Sequence, residues 1–324
     1  MTSPAASRAG ATVADLGEFG LIAAFVGRFE QGPAVHLGPG DDAAVLRTPK
    51  GHVVVSTDLL VENRHFRRDW ATATDVGRRA AAQNLSDINA MGGRATGLTV
   101  GLALPPDLEA QWVLDLADGI AAEAALVGAS IVGGDLTRGT EIVIAITVLG
   151  ECSVAPVLRS GARPGDVLAI AGRQGWAAAG LAVLGRGFRS PRAVVVAHQR
   201  PEPPYDAGPA AATGGATSMI DVSDGLVADV GHLAVGSGVR IDITSGAFEL
   251  DEPLVAVGAA LGVDPMSFVL GGGEDHPLVA TFPADVVLPD GFRVIGSVTA
   301  AGADGPGVTV DSAPYEGEPG WSHF

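Results

Sequence analysis

The fold of this chain is constrained most by a regular alternation of long apolar helices with apolar strands in its first half. Apolar residues at helical spacing predict helices over residues 75–91 and 107–127. Apolar runs of strand length predict strands over residues 95–104 and 141–150, and glycines or prolines stand at the boundaries between these segments. Strands that alternate with helices of this length are typical of α/β proteins, so we predict an α/β fold.

The second half of the chain begins a new α/β unit. Residues 167–171 form an apolar run bounded by turn residues, and residues 218–222 predict a strand that leads into a helix. A chain of 324 residues is long enough for two domains. We therefore predict a disordered tail of small polar residues over 1–12, an N-terminal domain over 13–152, and a C-terminal domain over 153–324 with a mixed sheet and flanking helices.

The charge and hydropathy of the chain limit its partners. Its 37 acidic and 20 basic residues give a net charge of −17, which opposes binding to a nucleic-acid backbone or an anionic membrane. No apolar run approaches the roughly 18–20 residues that cross a bilayer, and the N-terminus lacks the apolar region of a signal peptide. We expect a cytoplasmic protein with neither a nucleic acid nor a membrane as its partner. A phosphorylated substrate would be repelled too, unless the acidic groups hold divalent cations that bridge carboxylate to phosphate.

A subset of the acidic residues lies among glycines, hydroxyl residues and apolar segments, mostly where an apolar strand meets a turn. These residues are Asp41, Asp42, Asp58, Asp87, Asp135, Asp221, Asp224, Glu274 and Asp275. Ligands bind at strand ends in α/β sheets because several loops converge there. Asp87 lies in a helix apolar enough to bury it, and a buried carboxylate without a partner costs several kcal/mol. The pattern therefore predicts bound cations.

The types of residue present indicate which cation binds. Carboxylates without paired His or Cys ligands indicate Mg²⁺ or Ca²⁺, and Cys152, the only cysteine, excludes an internal disulfide and a zinc site with two Cys ligands. The chain contains neither an EF-hand loop nor a G-x₄-G-K-[ST] sequence, which excludes a standard P-loop. Mg²⁺ held by carboxylates shares its coordination with phosphate oxygens, which points to a phosphorylated ligand. Glycine-rich loops expected over 133–135 and 271–273 could bring backbone N–H groups close to a phosphate.

Seven short motifs follow one another along the chain. They are GDDAAV (40–45), STD (56–58), NLSDINAMG (84–92), GGDLTRG (133–139), LRSGARPGD (158–166), DVSDGL (221–226) and GGGED (271–275). Together they closely resemble the thiamine-monophosphate kinase family, and the resemblance runs from about Glu18 to Phe324. This family belongs to the superfamily of aminoimidazole ribonucleotide synthetase. The resemblance implies magnesium-dependent transfer of the γ-phosphate of ATP to thiamine monophosphate, a homodimer formed by the N-terminal domain, and a C-terminal domain that completes the active site.

The resemblance also assigns roles to individual residues. The magnesium ligands that it implies are Asp42, Ser56, Thr57, Asp58, Asp87, Asp135, Asp221 and Asp224. The nucleotide contacts that it implies are Gly134, Asp135, Arg159 and Ser223, and the contacts to thiamine monophosphate are His65, Glu274 and Trp321. We expect the catalytic contributions to come from Asp58, Asp87, Asp135 and Arg159.

The sequence departs from the family's pattern next to Glu274. Where the family usually reads G-G-E-D-Y-E-L, residues 272–278 of this chain read G-G-E-D-H-P-L. The change removes a tyrosine hydroxyl and an acidic group and adds a proline, which has no N–H. It bears on the part of the substrate pocket expected around residues 274–278.

Two other classes of protein compete with this interpretation. Aminoimidazole ribonucleotide synthetase and selenophosphate synthetase are ATP-using members of the same superfamily, but the latter is expected to carry a reactive cysteine near its N-terminus and no cysteine precedes Cys152. A non-catalytic acidic protein that binds Ca²⁺ or a partner through its carboxylates belongs to a different class. Such a protein would need neither Arg159 nor the glycines that flank the acidic residues.

Overall fold

The structure, a computed structural model, describes residues 12, 13, 15, 16, 24, 28–37, 45–47, 53–303 and 305–321. Its helices are α1 (Ala73–Ala90), α2 (Ala110–Val127), α3 (Trp176–Gly185), α4 (Arg192–Gln199), α5 (Ala207–Thr213), α6 (Leu226–Ser237), α7 (Glu252–Leu261) and α8 (Met266–Leu270), with a 3₁₀ turn at Ser245–Ala247. Its strands are β1 (Val35–Leu37), β2 (Val45–Leu46), β3 (Val54–Val61), β4 (Gly93–Leu104), β5 (Ser130–Arg138), β6 (Val143–Cys152), β7 (Asp166–Ala171), β8 (Ser218–Asp221), β9 (Val239–Ile243), β10 (Leu278–Pro283), β11 (Phe292–Ala300) and β12 (Gly307–Val310). Within the described ranges, no helix is both long enough and apolar enough to cross a membrane.

The chain divides into two compact units. Unit 1 comprises Met1–Asn84 with Ala95–Gly150, and unit 2 comprises Leu85–Arg94 with Glu151–Phe324. The α/β class predicted from the sequence is confirmed, since both units combine a sheet with helices. The dimerisation and binding roles assigned to the two halves stay predictions.

The sheet of unit 1 has four strands in the order β3-β6-β4-β5. Strand β3 pairs antiparallel with β6, and β4 pairs parallel with β5. Helix α2 connects the two parallel strands and ends at Gly128, whose φ of 71° is the left-handed conformation that glycine adopts without a steric penalty. Among the described strands, β3 lies at an edge of this sheet, and it carries the predicted STD motif.

Helices α1 and α2 approach each other closely at two glycines. A Cβ atom on Gly77 would lie 2.1 Å from the carbonyl oxygen of Leu116, and one on Gly119 would lie 2.2 Å from the carbonyl oxygen of Thr74. Both neighbours are backbone atoms, which cannot move aside as a side chain can. The closeness of this contact therefore depends on the absence of a side chain at both positions.

The sheet of unit 2 has six strands in the order β12-β9-β11-β7-β10-β8. Its pairs are antiparallel except for β12 with β9, which is parallel, so the predicted mixed sheet is confirmed. Its core includes buried Ala169, Met219, Leu278 and Phe282. Strand β8 lies at an edge and ends at Asp221, which therefore stands where the chain leaves the sheet.

The predicted loop over residues 133–135 is wrong, because these residues belong to strand β5. Pairing with β4 continues from Gly97 opposite Ser130 to Leu104 opposite Arg138, with one irregularity near Val132. A Cβ on Gly134 would lie 2.0 Å from the carbonyl oxygen of Val100, so glycine is required here by the close approach of two strands rather than by a turn.

Substitution of Gly77 by alanine should destabilise unit 1. The methyl group would press against the carbonyl of Leu116, and overpacking of this kind costs typically about 1–3 kcal/mol, more than the roughly 1 kcal/mol that alanine gains as a helix former. Gly231→Ala is the matched control, since it lies inside α6 with nothing within 4 Å of the added Cβ and should be neutral or stabilising. Urea unfolding followed by circular dichroism measures both. Equal midpoints for the two variants would contradict the packing argument.

Candidate active site

Asp221, the last residue of β8, is buried and is held at one oxygen by two donors. Its Oδ2 accepts a hydrogen bond from Oγ of Ser86 at 2.8 Å and lies 3.0 Å from Nδ1 of His276. Ser86 and His276 are also buried. The negative charge of Asp221 is therefore stabilised by protein groups at Oδ2, while Oδ1 is not engaged by either of them.

The electrostatics favour the charged forms of both Asp221 and His276. Burial acts to raise the pKa of Asp221, but the hydrogen bond and the positive charge of His276 lower it, and the net direction is below its ordinary value. Burial acts to lower the pKa of His276, but the hydrogen bond and charge of Asp221, with the charges of Glu274 and Asp87, raise it to about 8. At neutral pH His276 is therefore mostly an imidazolium among carboxylates.

The segment that carries His276 has an unusual backbone. Glu274 has a φ of 72° and His276 a φ of 53°, and this left-handed region costs non-glycine residues on the order of 1 kcal/mol each. The segment is held by its neighbours, because the N–H of Glu274 donates to the carbonyl of Ser223 at 3.0 Å and the N–H of Ala177 donates to Oδ2 of Asp275 at 2.9 Å. This strained conformation places the ring of His276 beside Asp221.

Asp275 lies between these two residues and is itself buried. Its Oδ1 is 3.6 Å from Nε of Arg173, a distance that permits an ion pair but is too long for a hydrogen bond. Burial raises the pKa of Asp275 to about 7, and the hydrogen bond from Ala177 and the charge of Arg173 only partly oppose it.

The loop after β8 joins three predicted binding segments. Ser223 accepts the backbone hydrogen bond from Glu274, and the carbonyl of Asp224 accepts one from the N–H of Trp321 at 3.0 Å. The structure therefore brings Ser223, Asp224, Glu274 and Trp321 together in one part of unit 2, with Asp221 two residues before the loop. Trp321 is 66% exposed, so its ring is open to a ligand.

Arg159 and Asp87 also act on this part of unit 2. The side chain of Arg159 is exposed, and its positive charge contributes to lowering the pKa of Asp221. Asp87 is half-buried and contributes to raising the pKa of His276. The expectation that the apolar helix buries Asp87 is wrong, because α1 buries Leu85, Ser86 and Ile88 instead.

The predicted residues of unit 1 that lie on β3 do not all share one face. Side chains alternate across a strand, so Ser56 and Asp58 point to one face and Thr57 to the other, where its Oγ1 lies 2.5 Å from Oγ1 of Thr147. The backbone N–H of Asp58 donates to Oδ1 of Asn84 at 3.2 Å. The STD motif thus presents two oxygen-bearing side chains, rather than three, on one face.

The other predicted residues of unit 1 are His65, Gly134 and Asp135. Nδ1 of His65 accepts the N–H of Val61 at 3.0 Å, so the neutral ring carries its proton on Nε2. Gly134 and Asp135 are exposed within β5. Asp42 falls outside the described residues.

The side chains at the predicted magnesium positions supply oxygen donors only, which suits Mg²⁺. Among the residues that the structure describes, no three His, Cys, Asp or Glu side chains lie together as a ready-made metal site. Mg²⁺ commonly binds one or two carboxylates and completes its coordination with waters and phosphate oxygens. The residues therefore fit magnesium that is shared with a phosphorylated ligand better than a cage built from protein alone.

Sequence reasoning missed the partners that hold these carboxylates. In the sequence, Ser86 is only one residue of the NLSD motif, and His276 is only a departure from the family's pattern. Asp229 was not considered, although an Asp in the first turn of a helix is a recognisable signal. Its Oδ2 accepts three backbone hydrogen bonds from the loop after β8. Burial raises the pKa of Asp229 to about 7, although the hydrogen bonds from Gly225 and Asp224 act to lower it.

The mixed α/β fold, with candidate carboxylates at the end of β8 and within β3 and β5, is that of the aminoimidazole ribonucleotide synthetase-like class. Residues 40–152 match the family model of the AIR synthase related protein, N-terminal domain. A thiamine-monophosphate kinase of Mycobacterium tuberculosis (strain H37Rv) is 48% identical over 316 residues, which cover 97% of this chain and 93% of that protein. The chain belongs to the thiamine-monophosphate kinase family.

Two further comparisons agree with this assignment. A thiamine-monophosphate kinase of Corynebacterium glutamicum is 40% identical over 334 residues, covering 100% of this chain and 98% of that protein. A solved structure described as AaThiL complexed with AMPPCP and TMP superimposes with a TM-score of 0.79 at 33% identity, covering 96% of this chain and 98% of that chain.

The charge on His276 predicts a specific dependence of stability on pH. The pKa of about 8 lies above the ordinary value of 6.5, so the stabilisation is fully present below pH 6.5 and is lost as the pH rises through about 8. This difference in pKa corresponds to about 2 kcal/mol. His276→Asn, which tolerates the left-handed backbone and keeps a donor but does not titrate, should lose this dependence.

Urea unfolding of metal-free protein at pH 6.5 and pH 9 measures the effect. The wild-type advantage over His276→Asn should shrink by about 2 kcal/mol between the two values. Asp229 and Asp275, with pKa values of about 7, are largely ionised over most of this window. Parallel curves for the two proteins would contradict a charged His276.

Proposed function

We propose that this chain transfers the γ-phosphate of ATP to thiamine monophosphate, giving thiamine diphosphate and ADP. Membership of the thiamine-monophosphate kinase family over nearly the whole chain carries the proposal. The grouping of Asp221, Ser223, Asp224, Glu274 and Trp321 in unit 2 supports it, because it joins carboxylates, a backbone segment and an exposed aromatic ring.

The chemistry of the acceptor determines what the residues must do. A phosphate monoester with a second pKa near 6 is mostly a dianion at neutral pH, so it needs no general base to become a nucleophile. The difficulty is that two phosphates a few ångströms apart repel by several kcal/mol at intermediate dielectric. The protein must therefore align the two phosphates and supply positive charge around them.

We assign the magnesium positions to the residues with oxygen donors. These are Asp42, Ser56, Asp58, Asp87, Asp135, Asp221 and Asp224. The resemblance also implies Thr57, but its side chain points to the opposite face of β3 from Ser56 and Asp58, so we leave it out of this assignment. Bound Mg²⁺ would neutralise the phosphates of donor and acceptor and the charge that develops between them. Ser86 and His276 keep Asp221 ionised and fix its orientation, so its remaining oxygen is presented without rearrangement.

The substrate contacts follow from charge and shape. His65 is assigned to thiamine monophosphate, as the family resemblance implies. Glu274 offers a negative charge, and Trp321 an exposed ring, to the flat cationic thiazolium of thiamine monophosphate. Arg159 and Ser223, with Gly134 and Asp135, are assigned to the nucleotide, where a guanidinium suits phosphate oxygens.

The direct test is incubation of the protein with ATP, Mg²⁺ and thiamine monophosphate, followed by chromatography for thiamine diphosphate. Free thiamine is the control acceptor and should give no product, because it lacks the phosphate nucleophile. The ribonucleotide substrate of aminoimidazole ribonucleotide synthetase, supplied with ATP, tests the alternative class. Turnover of that ribonucleotide without thiamine diphosphate formation would overturn the proposal.

Substitution of Asp58 or Asp87 by asparagine should lower kcat by about 10²-fold or more, because each change removes a negative charge from a proposed magnesium ligand. The fold should persist, since neither side chain belongs to the buried core. Asp285→Asn, an exposed position between β10 and β11, is the control and should retain wild-type activity. Full activity of both site variants at saturating Mg²⁺ would remove the assignment.

We also propose a homodimer formed through unit 1, in a protein of the cytoplasm. Val55 and Leu59 are exposed on one face of β3, which is an edge strand among the described strands of this sheet, and Val53 just before the strand is exposed too. Exposed apolar side chains on an edge strand form a surface that proteins usually cover. A second copy of the chain is the occupant that the family resemblance implies.

Val55→Lys should therefore convert the dimer to a monomer, because it places a charge among these exposed apolar side chains. Light scattering coupled to size-exclusion chromatography measures the mass of the particle. Val287→Lys, at a 90% exposed valine of unit 2, should leave the mass unchanged. A wild-type protein that runs as a monomer at micromolar concentration would refute the dimer.

A further inference from the structure

We propose that Asp229 is a positioning residue for the phosphotransfer reaction, because it fixes the loop of residues 223–225. This loop contains the proposed nucleotide contact Ser223 and the proposed metal ligand Asp224, and it binds the segments that carry the proposed substrate contacts Glu274 and Trp321. The inference rests on the proposed function for its kinetic test, but its geometry is independent of it. Asp229 lies in the first turn of α6 and is buried, so its role is not that of a ligand contact.

The carboxylate of Asp229 accepts hydrogen bonds from three consecutive backbone amides. Its Oδ2 accepts the N–H groups of Ser223, Asp224 and Gly225, each at 3.0 Å. Successive N–H groups that converge at the start of a helix form a site suited to an anion. In this chain the anion is the protein's own side chain, so these amides serve to shape the loop and are not available to a phosphate.

The carbonyl groups of this loop bind two other segments of unit 2. The carbonyl of Ser223 accepts the N–H of Glu274, and the carbonyl of Asp224 accepts the N–H of Trp321, each at 3.0 Å. A Cβ on Gly273 would lie 2.0 Å from the carbonyl of Ser223, so the 271–275 segment packs directly against the loop. Loss of the acceptor at Asp229 would therefore let Ser223 and Asp224 move. Glu274 and Trp321 would move too, because their N–H groups bind the carbonyls of these two residues.

Two variants separate the contribution of the carboxylate charge from that of its shape. Asp229→Ala removes the acceptor and should raise KM for thiamine monophosphate and lower kcat, with a combined loss of about 10²-fold or more in kcat/KM, the size expected for a site displaced by about 1 Å. Asp229→Asn keeps one oxygen that can accept the amides and should retain activity several-fold above that of the alanine variant. This partial rescue would not follow if the residue only filled space.

A matched control accounts for general loss of stability. Asp166 is also a buried carboxylate of unit 2 that accepts a backbone N–H, from Arg163 at 2.9 Å, and a hydroxyl, from Thr217 at 2.7 Å. Asp166 is the first residue of β7 and pairs with Pro283, the last residue of β10. Asp221 pairs with Leu278, the first residue of β10, so the two carboxylates lie at opposite ends of this strand. Asp166→Ala should lower the melting temperature while leaving kcat/KM within about twofold of wild type at a temperature where the protein is folded.

Hydrogen exchange of the peptide that contains residues 222–226 supplies a readout that needs no activity. The amides of this loop should exchange at least tenfold faster in Asp229→Ala, and measurably faster in Asp229→Asn, than in wild type or in Asp166→Ala. If Asp229→Ala does not fold, the asparagine variant carries the test alone.

The outcomes separate this inference from the proposed function. Unchanged exchange in the loop, or equal losses of kcat/KM in the Asp229 and Asp166 variants, would overturn the positioning role. A wild-type protein without kinase activity would overturn the proposed function, while the exchange measurement would still decide the role of Asp229.

Discussion

The site in unit 2 depends on how a buried negative charge is stabilised at the end of an edge strand. Asp221 leaves the sheet with one oxygen bound by the hydroxyl of Ser86 and facing the imidazolium of His276. Without these donors a carboxylate at this depth would favour its protonated form and could not bind a cation. The strained backbone on either side of Asp275 then has a physical purpose, since it brings His276 to this position and Glu274 beside it.

The acidic residues around this site divide into two groups with different tasks. Asp229 and Asp275 are turned inward, bind backbone amides, and have their pKa values raised to about 7 by burial. Near neutral pH they carry less than full charge, which reduces repulsion within a chain whose net charge is −17. Asp87 and Asp224 are only partly buried, so they remain accessible to ligands. A protein rich in carboxylates can in this way approach phosphates without every acidic group opposing them.

The sequence predicted the regular elements well and their side-chain partners poorly. The helices expected over 75–91 and 107–127 and the strand over 95–104 lie within a few residues of α1, α2 and β4, because strong periodicity survives folding. The glycines at residues 133–134 predict a turn but lie in a strand, because close packing of two strands also requires glycine. Ser86 and Asp221 are 135 positions apart in the sequence, and no local sequence pattern predicts a hydrogen bond between residues so distant. The motifs located most of the candidate residues, but only the fold revealed which of them are held by Ser86, His276 and Asp229.

If Asp221 binds a metal ion as proposed, the hydrogen bonds at only one of its two oxygens affect which ion it prefers. With Oδ2 committed to Ser86 and His276, this carboxylate has a single oxygen to give and cannot chelate through both. Calcium frequently takes carboxylates in the two-oxygen mode and accepts seven or eight ligands, whereas magnesium requires a compact octahedron of single contacts. A hydroxyl and a protonated ring behind the aspartate would thus discriminate between two abundant cations without touching either.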